Sequence, residues 1–211
     1  MPDSWRVEVE PIAIRGSRLA LTRTCWRDID FDDRPIVAEI LNVGEVGDDD
    51  LLCYTVNFDP DDIDAAFEEL EARYGAGEAA AHAHTWSVIV GIYAAFKRHQ
   101  LAATTPDYVV IDHRLQATIK AGDLGAYVRA AWDLAPSLNN YIETVHRLSD
   151  LGAVVTNVAS GTSQDGFDAE WRMIHLFTIE GDLISRCEMF DEADLDAATA
   201  RFDQLSADAS N

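Results

Sequence analysis

The chain carries the same phrase twice. Residues 58–66 read Phe-Asp-Pro-Asp-Asp-Ile-Asp-Ala-Ala, and residues 190–198 read Phe-Asp-Glu-Ala-Asp-Leu-Asp-Ala-Ala. Six of the nine positions are identical at an offset of 132, and Ile63 is matched by Leu195. Each copy follows strand-like segments and opens an amphipathic helix pattern. An internal repeat constrains architecture before local propensity does, because each copy must be one supersecondary unit. The copies are unequal. Residues 78–189 precede the second phrase within its own unit, whereas only residues 1–57 precede the first. The first unit therefore reads as the back half of a domain, over 1–75. The second, over 78–206, reads as a complete one.

Period-two alternation marks the strands. Trp5, Val7 and Val9 alternate with Arg6, Glu8 and Glu10, and Gly16-Ser17 is a turn signal. Further strands are expected over 18–28, 36–46 and 51–58, which makes an antiparallel meander with a polar loop at 30–35. Asp59 then predicts an N-cap, with Pro60 at the first helical position. The carboxylates Asp61, Asp62 and Asp64 favour the positive end of that helix. They lack the glycine and the distant glutamate of a calcium loop. Ile63, Ala66, Phe67, Leu70 and Tyr74 form its apolar stripe, and Gly75 and Gly77 end it. The second unit reads helix 78–98, loop 101–106, strand 108–113 and helix 123–134. Strands 139–148, 153–160, 167–179 and 183–190 follow, with turns at 164–166 and 180–182. A last helix is capped by Asp191.

Composition bounds the partners. The formal net charge is −22, and the only lysines are Lys97 and Lys120. Phosphate backbones and anionic lipid surfaces attract clustered cations, so neither nucleic acid nor a membrane is an expected partner. No apolar run approaches the roughly 18–20 residues that cross a bilayer. The first residues lack the basic start and apolar stretch of a secretion signal. Three cysteines in no metal-like spacing fit a reduced, cytoplasmic protein. The Ala/Asp/Arg-rich, lysine-poor usage suggests a GC-rich bacterial source. No cofactor fingerprint is present.

Three motifs carry a family resemblance: Tyr-Val-Val-Ile-Asp-His-Arg at 108–114, the Gly-Asp-Leu-Ile turn at 181–184, and the ending Phe-Asp…Asp-Leu-Asp-Ala-Ala…Arg-Phe-Asp at 190–203. With the element order above, they make the second unit resemble the SnoaL-like domains of the nuclear transport factor 2-like superfamily. It is most similar to domains attached to bacterial adenylate/guanylate cyclases and helix-turn-helix regulators. The resemblance implies an α+β fold, a curved antiparallel sheet wrapped around helices as a cone. The N-terminal half-repeat of four strands and a helix is additional, and has no cone helices of its own. The natural protein is then either longer, or its half-unit packs on the complete one. The latter would imitate within one chain the back-to-back sheets of a homodimer. The fold hosts isomerases, dehydratases, hydrolases, cyclases and plain binders, so chemistry must come from the site.

In strand 167–179, Phe167, Ala169, Trp171, Met173, His175, Phe177 and Ile179 share one face. That face is expected to line the cone. His175 is then a polar group in an apolar wall, either an acid/base or ligand-donor group or a core histidine. Asp112 and His113 are adjacent on a strand, so only one points inward. An inward Asp112 is a candidate general base. Asn157 and Glu188 are candidates from neighbouring strands. Trp86, Tyr93 and Trp132 lie on the expected cone helices and suit a planar apolar ligand. His82-x-His84 is wrongly spaced for one helix face, and no metal site is expected. The first expectation is a domain binding a small apolar molecule, as a sensory or regulatory module of a larger protein. The second is an isomerase, cyclase, dehydratase or hydrolase acting on a polyketide- or steroid-like substrate through Asp112 and His175. A structural module with a filled cone is the third.

Overall fold

The computed structural model describes residues 6–29, 35–115, 124–162, 166 and 168–209. Expectations for Trp5, the loop at 30–34, Asp123, Gln164, Asp165 and Phe167 lie outside the described residues. The chain divides into two compact units, Met1–Glu78 and Ala79–Asn211.

The first unit is an antiparallel meander. It comprises β1 (Arg6–Arg15), β2 (Leu19–Ile29), β3 (Pro35–Val46) and β4 (Leu52–Phe58), followed by α1 (Ile63–Ala76). Gly16 turns β1 into β2 at φ +59°, a conformation that favours glycine. The helix begins three residues after Pro60, not at it. Asp59 to Asp62 instead close a turn, with the Asp62 N–H donating to the Asp59 carbonyl at 2.9 Å. Proline suits the second position of such a turn as well as a first helical turn, so the same residues fit either end. Ala66, Leu70 and Tyr74 bury themselves on β2–β4. Ala13, Leu21, Leu41 and Val43 meet them at 0% exposure. Arg15 is buried in the same layer, its guanidinium paired with Glu71.

The second unit runs α2 (Ala83–Lys97), β5 (Thr104–Asp112), α3 (Leu124–Leu134), β6 (Asn139–Ser149), β7 (Gly152–Thr162), β8 (Asp168–Glu180), β9 (Leu183–Asp191) and α4 (Leu195–Ala209). Its strands lie in the order β6-β7-β8-β9-β5, antiparallel except for β5 beside β9. β5 starts four residues before the expected Tyr108 and includes Pro106. Its ladder to β9 is interrupted between Thr104 and Val109, where a proline without an N–H costs nothing. α2 starts later than expected, because residues 80–82 form a tight 3₁₀ turn first.

The repeat is structural. Ile63 and Leu195, matched in the phrase, are each the first residue of their helix. Ala66 and Ala198 are both 0% exposed, and Leu70 and Phe202, again 132 apart, are 0% and 3% exposed. α1 packs on the last three strands of its meander, and α4 on β7, β8 and β9. Under α4, Val154, Ile174, Leu176, Phe190, Ala198 and Phe202 form one apolar cluster. Burying side chains of this size stabilises by roughly 1.5–3 kcal/mol each, which fixes α4 to this side of the sheet.

Candidate functional site

Residues directly paired across strands point to the same face. One row of the second sheet is therefore Val155, His175, Met189 and Asp112, and the next is Ala153, Phe177, Cys187 and Val110. The alternate row, Val154, Leu176, Glu188 and Ile111, faces α4. This parity separates scaffold from cavity. On the first face, under α2 and α3, lies a cavity of about 270 Å³. Its sheet wall includes Tyr108, Val110, His175, Phe177, Cys187 and Met189. α2 contributes Ile92, Tyr93 and Phe96, and α3 contributes Leu124, Gly125 and Val128.

His175 is where the parity of β8 predicts, in the wall. Its ring stands edge-on to Phe177 with centroids 5.3 Å apart. Both ring nitrogens are sealed from solvent, and neither has a hydrogen-bond partner among the described residues. Burial, and secondarily the Arg114 guanidinium, hold its pKa down at about 4 against the opposing pull of Asp112. The imidazole is thus neutral at pH 7, one nitrogen a donor and the other an acceptor.

Asp112, not His113, lies on the cavity face, in the parity of Tyr108 and Val110. Its side chain is 1% exposed. It accepts Nε and Nη2 of Arg114, each at 2.8 Å, and the Arg114 backbone N–H at 3.2 Å. Hydrogen bonding to Asp112 outweighs burial and pushes the Arg114 pKa up. A carboxylate held in such a fork is stabilised as an anion and committed to that partner. Both of its oxygens accept from Arg114.

His113 turns the other way. Its Nε2 meets Glu188 Oε2 at 2.7 Å and its ring stacks on Phe190 at 4.3 Å. Glu188 does not line the cavity. It sits at 0% exposure on the α4 face, where Arg186 and Arg201 donate to its Oε1 at 2.9 and 3.2 Å. Burial alone would raise its pKa, but His113 and the two arginines outweigh burial and lower it. Even spacing along β9 puts Glu188 opposite to Cys187 and Met189, so the sequence already held the reason for this correction.

The aromatic candidates divide. Tyr93 lines the cavity. Trp132 does not reach it, but backs Phe96 at 5.2 Å and stacks on His99 at 5.1 Å. Trp86 is 3% exposed and belongs to the core on the sheet side of α2. Trp171 shares the parity of His175 but is 52% exposed and outside the cavity. Asn157 shares the cavity face through its pairing with Met173, is 1% exposed, and packs outside the lining.

Five polar lining residues lie outside the candidates drawn from sequence: Gln100, Thr104, Tyr108, Asn140 and Cys187. Tyr108 and Cys187 stand on the neighbouring strands β5 and β9, and burial pushes the thiol up to about 12 and the phenol up as well. Shifts in this direction keep both groups protonated at pH 7. Asn140 carries a buried Oδ1 with no partner among the described residues. The parity shared with Asp112 could have found Tyr108. Asn140 had no such signal. Among the described residues, no three His, Cys, Asp or Glu side chains group as a metal ion would require. His82 instead binds Asp150 at 2.7 Å, and His84 the Gly181 carbonyl at 3.0 Å.

No family model matches the sequence, and no curated protein does. Solved structures similar to this chain include a nuclear transport factor 2-like protein of unknown function from Burkholderia pseudomallei. It is 20% identical, covers 53% of this chain and 94% of that one, with a TM-score of 0.42. A protein with a ketosteroid isomerase-like fold from Catenulispora acidiphila, solved with trimethylamine, is 16% identical over 48% and 82%, at 0.39. TsrD from Streptomyces laurentii is 20% identical over 51% and 88%, also at 0.39. Likeness of this order carries no chemistry. By its own element order — helix, strand, helix, four antiparallel strands and helix, with the first strand parallel at the sheet's end — the second unit has the α+β, nuclear transport factor 2-like fold.

Proposed function

We propose that the second unit is a small-molecule-binding module whose site is the cavity beneath α2 and α3. The observation that carries this is a concave, mainly apolar cavity whose described lining contains no Asp, Glu, Lys or Arg. An apolar hollow with a few placed polar groups is the usual form of a ligand site. The geometry favours binding over acid/base turnover. Asp112 is committed to Arg114, and the Cys187 thiol stays protonated. His175 alone is a poor acid/base pair. Binding without turnover suits a sensory module, the role of the regulator-attached domains that the sequence resembles.

The test is thermal unfolding with saturating naphthalene, a neutral two-ring probe. A ligand at a hundredfold excess over its Kd stabilises by about 2.7 kcal/mol, so the transition should rise. Val128→Trp, which fills the cavity from α3, should abolish the rise. A wild-type chain indifferent to naphthalene and to its 2,6-dihydroxy derivative alike would overturn the proposal.

A further inference from the structure

The chemistry of the cavity's polar groups narrows what it takes. This step rests on the binding role proposed above. Buried polar groups in folded proteins are almost always hydrogen-bonded, and each exception calls for an explanation. Two exceptions meet at this cavity. Both nitrogens of His175 and the Oδ1 of Asn140 lack partners among the described residues, and both residues belong to the lining. The other polar groups of the lining are Tyr93, Gln100, Thr104, Tyr108 and Cys187. The nearest ionic groups, Asp112 and Arg114, neutralise one another.

We propose that the ligand is an uncharged, two-ring molecule bearing hydroxyl groups, one seated on His175 and another on Asn140. A hydroxyl both donates and accepts. It can therefore serve either nitrogen of a neutral imidazole, whereas a ketone or an amine hydrogen serves only one. Asn140 Oδ1 can only accept, so the group opposite it must donate. The two sites are well separated. Asn140 pairs with Ala159, and Ala159 with Trp171, four residues along β8 from His175. They are thus two strands apart across the sheet and four residues apart along it. The ligand needs polar groups at opposite ends and an apolar body between them, facing the apolar Ile92, Phe96 and Val128 that α2 and α3 bring to the cavity. Size follows from volume. A cavity of about 150 Å³ holds one benzene ring, and this one has about 270 Å³. Charge follows from desolvation: a carboxylate entering here would lose its water and gain no free cation.

The experiment compares three probes by calorimetry on the whole chain: 2,6-dihydroxynaphthalene, naphthalene and 2-naphthoate. The diol should bind at least tenfold more tightly than naphthalene, and 2-naphthoate at least tenfold more weakly than naphthalene. His175→Leu should bring the diol most of the way to naphthalene's affinity, and Asn140→Ala should weaken it several-fold. Equal affinity for diol and naphthalene would overturn this inference and leave the binding role intact. So would 2-naphthoate binding as tightly as the diol. A failure of all three to bind would overturn both.

Discussion

His175 should make the protein acid-sensitive by a calculable amount. Its ordinary pKa of about 6.5 holds in the unfolded chain, and burial lowers it to about 4 in the folded one. Between those values the unfolded chain holds a proton that the folded chain excludes. Stability therefore rises with pH across this window and is lost as pH falls from about 6.5 to about 4. Each pH unit of that gap is worth about 1.4 kcal/mol, so the whole is about 3.5 kcal/mol, of which about 3 kcal/mol is lost by pH 4. His175→Leu removes the titration and the two unpartnered nitrogens together. At pH 7 the variant should match or exceed wild type, by up to about 2 kcal/mol. By pH 4 its advantage should have grown by about 3 kcal/mol. Urea unfolding of both chains at intervals from pH 7 to pH 4 reads this difference, and carboxylates common to both cancel. Parallel stability profiles would refute the reasoning. They would mean that the imidazole is protonated in place or already hydrogen-bonded.

The remaining predictions concern the scaffold. Leu70→Ala and Phe202→Ala occupy matched positions in the repeat and should each cost about 2–5 kcal/mol by denaturant unfolding. Glu188→Gln should cost about 2 kcal/mol, since His113, Arg186 and Arg201 are 38%, 23% and 33% exposed and recover hydration when the charge is lost. Its lowered pKa means the carboxylate stabilises above the ordinary carboxylate range and loses that contribution as pH falls below it. Stability curves of Glu188→Gln should lack this acid-side loss. Gly152→Ala would drive its Cβ into the Phe177 carbonyl, so the β7–β8 pairing should weaken by about 1–3 kcal/mol, seen as a lower melting temperature.

Much of this was legible in the sequence, and the exceptions are physical. Period-two alternation located His175 on the wall because β8 is regular from Asp168 to Thr178. The same rule, carried through β9, excludes Glu188. The duplicated phrase marked two matched helices, which begin at the matched Ile63 and Leu195, whereas capping rules chose Asp59 and Asp191. Those rules see only neighbours in sequence, and the Asp59–Asp62 turn uses the same residues for a different end. Trp86 and Trp132 were drawn to the site by aromatic spacing, which marks any buried helix face. Whether such a face meets a cavity or the core depends on where the helix lands on the sheet. The commitment of Asp112 to Arg114 is local in sequence, yet it became visible only once β5 ended at Asp112 and the chain curled back.

The parity of β8 also has a consequence for how this protein can change. Met173, His175 and Phe177 face one way, and Ile174 and Leu176 the other, under α4. Substitutions at His175 and Phe177 reshape the cavity wall while the even positions hold the helix in place. The wall can therefore change one residue at a time. A single inserted residue has no such freedom, since it would exchange the two sets and undo wall and support together.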